Sequence, residues 1–136
     1  MFKLKKILNS GTNVPEPELV AAHMSITLNT GAVGTLVNGS LSTGNATTKP
    51  THVLLKKKEK GEEYAICYRI NPNMIFEVEL VSENVTDLLD GDSVCLYLDG
   101  TGGYSKCSGE TEGGVAFIND MNGATKSGDT VYVSFA

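Results

Sequence analysis

Short stretches of alternating hydrophobic and polar residues, separated by turn residues, run along most of the chain. In residues 74–80 every second position is hydrophobic, while Glu77 and Glu79 occupy two of the positions between. Residues 131–135 alternate in the same way. A period of two is typical of a β-strand with one buried face. We therefore predict strands at both places, with Glu77 and Glu79 exposed to solvent rather than paired as a catalytic acid and base.

Turn signals join several of these stretches into hairpins. Asn38-Gly39 separates two short alternating stretches, and Asn-Gly is the commonest two-residue hairpin turn. Lys60-Gly61 is expected to form the turn of a second hairpin within residues 54–68. Residues 23–28 also alternate between polar and hydrophobic positions, which predicts a further strand.

The same pattern predicts the fold class. No hydrophobic stripe with helical spacing extends over ten or more residues, and about eight to ten short strands are expected. We predict an all-β protein, either a small β-barrel or a barrel-like sandwich of short antiparallel strands. The turn signal Asn9-Ser10-Gly11 and the two prolines that follow it favour extended chain at the N-terminus. We therefore divide the chain into an extended N-terminal arm, residues 1–18, and a β-barrel domain, residues 19–136.

The predicted arm combines basic and hydrophobic side chains. It carries three lysines within its first six residues, whereas the first acidic residue of the chain is Glu16. A segment of this length buries little surface alone, so we expect it to lie against a partner. Its lysines would meet an acidic surface, and its hydrophobic side chains would be anchors. The expected contact residues are Phe2, Lys3, Leu4, Lys5, Lys6, Ile7 and Leu8.

Composition and charge exclude several classes of protein. The 136-residue chain has a net charge of −5, which argues against a general nucleic-acid-binding protein. No hydrophobic run approaches the roughly 18 residues of a transmembrane helix, so we expect no membrane insertion. From Asn71 onward the chain contains eleven acidic residues and two lysines. This excess indicates an acidic, solvated surface.

The cysteines and histidines do not match a metal or nucleophile pattern. Cys67, Cys95 and Cys107 have no C-x-x-C spacing, and His23 and His52 do not complete a zinc site. We predict reduced structural thiols, as in proteins that mature in a reducing cytoplasm. Each histidine is interpreted as a strand residue rather than as the base of a catalytic pair.

Two further stretches are interpreted as turns. Asp90, Asp92 and Asp99 lie beside glycines, but the spacing of an EF-hand calcium loop is absent. Residues 100–107 are glycine-rich, but they have neither Walker spacing nor a following helix to bind phosphate. We therefore predict no metal, no cofactor and no catalytic residue, and we expect a protein that is not an enzyme.

Two tyrosines offer an alternative function. Tyr97 precedes the loop of residues 99–110, and Tyr104 lies within it. Aromatic rings of this kind can stack on sugars. The chain contains no Trp, which favours ring packing at the edge of the sheet over a carbohydrate site. A carbohydrate- or ligand-binding β-module is nevertheless kept as the alternative.

Four parts of the sequence carry a family resemblance. They are MFKLKKILN (1–9) with NVPEP (13–17), ATTKPTHV (46–53), INPNMIFEV (70–78) and DMNGATKSGDTV (120–131). These stretches resemble the small β-barrel head decoration, or capsid cement, proteins encoded beside the major capsid protein in tailed phages and prophages of Gram-positive gut bacteria. The lysines within residues 56–60 and the three cysteines depart from the family pattern.

The resemblance implies a non-enzymatic structural protein of the virion. Its partner would be the major capsid protein, bound at the outer surface of the head, often as a trimer at a symmetry axis. We expect a homo-oligomer that is assembled in the host cytoplasm, reinforces the head against DNA pressure, and binds neither nucleic acid nor membrane. Another virion position, such as the tail or neck, and a carbohydrate-binding role in host adsorption stay open as alternatives.

Overall fold

The computed structural model describes residues 1–8 and 15–135. The remainder of the predicted arm, residues 9–14 with its expected turn at Asn9-Ser10-Gly11, lies outside the described residues. Twelve strands occur in the part of the chain that is described, together with one short 3₁₀ turn at Val85–Asp87. The strands are β1 (Lys3–Ile7), β2 (Glu18–Ala21), β3 (Val33–Val37), β4 (Ser40–Ser42), β5 (His52–Leu54), β6 (Tyr64–Arg69), β7 (Met74–Val81), β8 (Ser93–Val94), β9 (Leu96–Leu98), β10 (Tyr104–Ser108), β11 (Ala116–Asp120) and β12 (Thr130–Ser134).

The strands form one hydrogen-bonded sheet. Its order is β2-β6-β5-β3-β10-β7-β12-β11-β8, and β1, β4 and β9 pair with β7, β3 and β10 beside this path. The strand pairs are antiparallel, except that β10 runs parallel to β7. Among the strands described, β2 and β8 end the order and do not pair with each other. The all-β prediction is confirmed, and the open order excludes the closed barrel and favours the sandwich-like alternative.

Strand β7 joins the two halves of this sheet. It pairs with β1 near its start, with β12 along its middle and with β10 at its end. Its hydrophobic positions are buried, while Glu77 and Glu79 are half-exposed on the other face. The alternation of residues 74–80 therefore predicts this strand and its orientation correctly, because the hydrophobic set is buried and the two glutamates stay accessible to solvent.

The hairpin turn at Asn38-Gly39 is also confirmed. Both residues have positive φ angles, 52° at Asn38 and 80° at Gly39. Such angles match the right-handed twist of the flanking strands, and asparagine and glycine tolerate them best. The turn sets the pairing of Leu36 with Leu41 across β3 and β4.

A large hydrophobic cluster fills the space between the sheet halves. Val33 and Val53 of the β2-to-β10 half belong to the same buried cluster as Ile118 and Val131 of the β7-to-β8 half. Three rings lie within it: Phe76 is 5.8 Å from Phe135, and Phe2 is 5.5 Å from Phe135, between ring centroids. A hydrophobic core shared by both halves of the sheet is what a sandwich-like fold requires.

A smaller cluster lies toward the β2 end of the sheet. Its buried members are Ala22, Leu28, Leu41, Leu54, Ala65 and Cys67. The buried side chain of Lys58 closes one side of it, and its Nζ donates to the carbonyl oxygens of His23 (2.6 Å) and Ile26 (2.7 Å). The strand predicted at residues 23–28 is therefore wrong: the segment is a turn and loop, held by this lysine rather than by a neighbouring strand.

Candidate binding surfaces

The N-terminal strand β1 presents its lysines to solvent. Leu4 pairs with Phe76 and Lys6 pairs with Ile75, so the register shifts between them and Lys5 is the extra residue of a β-bulge. The bulge places Lys5 and Lys6 on the solvent side, where Lys3 also lies exposed. Lys5 Nζ is 3.6 Å from a carboxylate oxygen of Glu77.

The hydrophobic residues of the same segment face the opposite way. Phe2 is 3% exposed and belongs to the large cluster, while Leu4 and Ile7 pack against that cluster. The Phe2 amide donates to the Gly31 carbonyl at 2.8 Å. Three of the expected partner anchors are thus corrected to core residues of their own chain, because apolar burial within the fold removes them from water. Leu8 alone of the four hydrophobic candidates is exposed.

A groove runs along the outer face beside this strand. It has a volume of about 500 Å³, and Ile75 and Leu8 contribute hydrophobic surface to it. The lysine side chains of β1 line one side, and polar groups of β11 and β12 line the other. The lining residues are Lys5, Lys6, Leu8, Ile75, Asn119, Asp120 and Tyr132. The groove combines the exposed Leu8 and the nearly buried Ile75 with two lysines and one aspartate, and its lysines suit a protein segment with acidic side chains.

A second groove, of about 610 Å³, lies where β7, β9 and β10 meet the 3₁₀ turn. Tyr97 and Val81 contribute hydrophobic surface, and serines, an amide and two carboxylates surround them. The lining residues are Val81, Ser82, Glu83, Asn84, Tyr97, Ser108, Gly109, Glu110 and Ser127. The structure therefore places Tyr97 in a groove. Tyr104 is not part of its lining; it is half-buried and pairs with Leu98 and Val33.

Gly109 allows this groove to form. A Cβ atom at that position would lie 2.1 Å from the Ser82 hydroxyl oxygen and 2.7 Å from Oδ1 of the Asn84 side chain. The Ser82 hydroxyl donates a hydrogen bond to the same Asn84 oxygen. A larger residue would push this pair away from the wall, so the sequence requires glycine there.

The acidic residues proposed as turn residues have structural partners. Asp90 accepts from the Met121 amide at 2.8 Å, and Asp92 accepts from the Leu89 amide at 2.9 Å. Asp99 lies 2.7 Å from Lys106 Nζ, which is also 3.4 Å from Glu79. The hydrogen bond from Lys106 to Asp99 raises the pKa of this lysine. No group of three or more potential metal ligands occurs in the described ranges.

The glycine-rich stretch after Asp99 packs closely against a neighbouring turn. A Cβ at Gly102 would fall 1.8 Å from the Asn29 amide nitrogen, and the Gly102 carbonyl accepts from the Asn29 backbone amide at 2.8 Å. Gly102 therefore leaves room for the Asn29 side chain beside this backbone hydrogen bond.

A polar cluster near the β2 end joins the buried His52 to two partly exposed charged residues, Glu18 and Arg69. His52 Nε2 is 3.7 Å from Glu18, and Arg69 lies 3.3 Å from the same carboxylate. The Thr51 hydroxyl is 2.7 Å from His52 Nδ1. Burial, reinforced by the charge of Arg69, lowers the pKa of His52, whereas the hydrogen bond from Arg69 lowers the pKa of Glu18. These residues tie β2 to β5 and β6.

All three cysteines are buried and free, as expected. Burial raises the pKa of Cys67 to about 12 and also raises the pKa of Cys107. Cys95 Sγ donates to the Glu112 carbonyl at 3.2 Å, and burial raises its pKa too. Thiols in this state are poor nucleophiles, so they act as small hydrophobic side chains.

A hydrophobic patch that the sequence analysis did not identify lies on β2 and β6. Leu19 is paired with Ile66, and Ala21 is paired with Tyr64. Leu19, Tyr64 and Ile66 are 69%, 54% and 40% exposed. The alternation of residues 64–70 carries a signal for it, since hydrophobic residues occupy both faces of that strand.

The chain matches no family among known protein-family models, and no curated protein matches its sequence. Among the described residues, no helix has the length and hydrophobicity needed to cross a membrane.

Proposed function

We propose that this protein is a non-enzymatic phage head decoration protein that binds the outer surface of the assembled capsid and stabilises it. The family resemblance of four parts of the chain supports the proposal. The observation that carries it is the amphipathic strand β1, whose three lysines point to solvent and two of whose lysines, Lys5 and Lys6, line a groove that also contains Leu8. The partner is the major capsid protein.

The geometry of β1 supports a capsid contact made by a strand of the sheet rather than by a free N-terminal arm. Phe2 and Leu4 anchor the strand in the protein's own core, so only its outer surface is available to a partner. Lys3, Lys5 and Lys6 form a row of positive charges on a backbone that pairing with β7 already orders, so binding has to order only their side chains. An acidic segment of the capsid subunit would lie along this row and place a hydrophobic side chain in the groove.

Many weak contacts are sufficient for such a role. Copies bound to a regular shell gain avidity when each copy, or each oligomer, touches several subunits. The proposal includes a homo-oligomer, a trimer by the resemblance, at the virion surface after assembly in the host cytoplasm. A tail or neck position would use the same kind of contact with a different repeating partner.

Co-sedimentation with purified heads of the phage that encodes the chain tests this proposal. The triple variant Lys3→Glu, Lys5→Glu, Lys6→Glu should lose at least tenfold in bound protein, because the charge row is reversed while the hydrophobic anchors remain. The matched control reverses three exposed lysines elsewhere, Lys49, Lys60 and Lys126. Equal binding of both variants, or absence of the protein from purified particles, would contradict the proposal.

The groove at Tyr97 favours a second candidate function, carbohydrate binding. A tyrosine ring beside hydroxyl, amide and carboxylate groups can stack on the apolar face of a sugar and accept hydrogen bonds from its hydroxyls. A glycan array tests this: a positive signal should disappear in Tyr97→Ala and persist in Phe117→Ala, a similarly exposed aromatic residue outside the groove. A wild-type protein that gives no signal would exclude this candidate.

A further inference from the structure

We infer that the hydrophobic patch of β2 and β6 is the surface through which copies of this chain associate with one another. This inference rests on the homo-oligomer of the proposed function, but it does not depend on the capsid contact, because the patch shares no residue with the groove beside β1.

The patch is contiguous rather than scattered. Residues directly opposite in an antiparallel pair share a face of the sheet, so Leu19 and Ile66 are neighbours, and Ala21 and Tyr64 continue the same face. Single exposed hydrophobic residues are common on monomers, but a contiguous set that includes a leucine at 69% exposure marks an interaction site. The shallow depression between them has a volume of about 390 Å³.

The position of the patch in the sheet points the same way. β2 is the last strand of the sheet order, and its four residues pair with β6 along one edge. A terminal strand with a hydrophobic face is prone to associate with another chain unless it is protected. The outward residues of β2 itself, Leu19 and Ala21, bring neither a charge nor a proline to this face.

The charges around the patch identify the occupant as another copy. Lys56 and Lys57 line the depression together with Glu62 and Glu63, so the rim is neutral although the chain carries −5. A strongly acidic or basic partner would be favoured by an excess of the opposite charge around the patch. The lysines of β1 are such an excess for an acidic partner, whereas this patch has none. A second copy brings the same two lysines and two glutamates, which can pair across the contact while the hydrophobic residues are buried together.

Sedimentation equilibrium of the full chain over a range of concentrations tests the inference. The wild-type protein should populate an assembly larger than a monomer, and Leu19→Lys should raise its dissociation constant at least tenfold, because the variant places a charge in the buried centre of the contact. The control is Leu89→Lys, since Leu89 is 67% exposed but lies outside the patch. Both leucines are exposed, so neither variant should change the thermal unfolding midpoint by more than a few degrees.

A charge exchange provides a second, independent measurement. Lys56→Glu and Glu63→Lys should each weaken the assembly, because each leaves like charges facing one another. The double variant should regain association relative to the single variants, since the rim is neutral again. A wild-type protein that stays monomeric at the highest concentration, or an assembly that Leu19→Lys and Leu89→Lys affect equally, would overturn the inference.

Discussion

The two hydrophobic clusters of this protein differ in what holds them together. The large cluster, between the sheet halves, consists of hydrophobic side chains from nearly every strand, with Phe2, Phe76 and Phe135 in mutual contact. The small cluster, near β2, has six buried hydrophobic members, and the buried Lys58 beside it donates hydrogen bonds to two backbone carbonyl oxygens. The first is stabilised by apolar packing, whereas the second also requires specific hydrogen bonds.

This difference has a consequence for where binding surfaces form. In the large cluster the alternating hydrophobic residues of β7 are buried and its two glutamates are half-exposed. At the β2 end, hydrophobic residues lie on both faces of β6: Ala65 and Cys67 are buried, while Tyr64 and Ile66 are exposed. A small core that leaves hydrophobic residues outside is stabilised further when another molecule covers them.

The largest loss of stability is expected from Phe2→Ala in the large cluster. If the N-terminal segment belongs to the large cluster, deletion of the ring leaves a cavity among Phe76 and Phe135 and lowers the free energy of unfolding by about 3–5 kcal/mol. Urea denaturation followed by circular dichroism measures this loss. The control Leu8→Ala, at an exposed position of the same segment, should cost less than about 1 kcal/mol. A free arm would give no loss at either position.

The next largest effect is expected from Lys58→Met in the small cluster. Methionine keeps much of the apolar stem but leaves the carbonyl oxygens of His23 and Ile26 without their donor, which should cost about 2 kcal/mol of unfolding free energy. Lys57→Met, at an exposed position next to it, should change stability by less than about 0.5 kcal/mol. Equal effects of the two variants would show that the buried lysine does not hold residues 23–28.

The free energy of unfolding should also depend on pH through His52, near the β2 end of the sheet. Burial lowers the pKa of this imidazole in the folded protein below its usual 6.5, so the unfolded chain binds its proton more readily. Stability should therefore be constant with respect to this group above about pH 6.5 and fall as the pH decreases below it, with a slope of at most about 1.4 kcal/mol per pH unit. The fall ends below the folded-state pKa, where both states are protonated.

The variant His52→Asn isolates that contribution. Asparagine cannot take up a proton, so the difference in unfolding free energy between variant and wild type should change in favour of the variant from pH 7 to pH 5. Denaturation curves at several pH values measure this difference. A constant difference across that range would mean that His52 does not titrate differently in the two states.

The smallest effect on stability is expected at Lys5. Its ion pair with Glu77 is exposed and 3.6 Å long, so Lys5→Ala should change the free energy of unfolding by less than about 0.5 kcal/mol. The same change should reduce binding to phage heads if the charge row of β1 makes the contact. A large loss of stability, measured by urea denaturation, would instead assign Lys5 a structural role.

The sequence predicts the parts of the fold that depend on local pattern. The strand at residues 74–80 and the turn at Asn38-Gly39 follow from alternation and from residues that tolerate positive φ. Residues 23–28 show the same alternation, but hydrogen bonds from Lys58, some 30 residues further along the chain, hold their backbone. Lys58 is buried although the charged residues next to it in the sequence are exposed. No local signal reveals such a contact.

The candidate surfaces were predicted only in part for the same reason. The lysines of β1 are evident in the sequence, but the β-bulge at Lys5 that turns Leu4 and Ile7 toward the core becomes visible only when the strand pairs with β7. Tyr97 was identified as a candidate contact, whereas its groove requires residues from four separate parts of the chain. Juxtapositions of distant segments need the tertiary structure.

A buried cysteine in each cluster allows the opening of that cluster to be followed by chemical labelling. Cys67 belongs to the small cluster and Cys107 to the large one, and both thiols are fully shielded from solvent. The thiolate is the nucleophile that attacks an alkylating reagent, so each sulfur is modified only when the surrounding packing opens and the thiol can ionise in contact with the reagent. Pulsed labelling of the unaltered protein, resolved by peptide mass spectrometry, would thus time the opening of the two clusters separately and in the same sample.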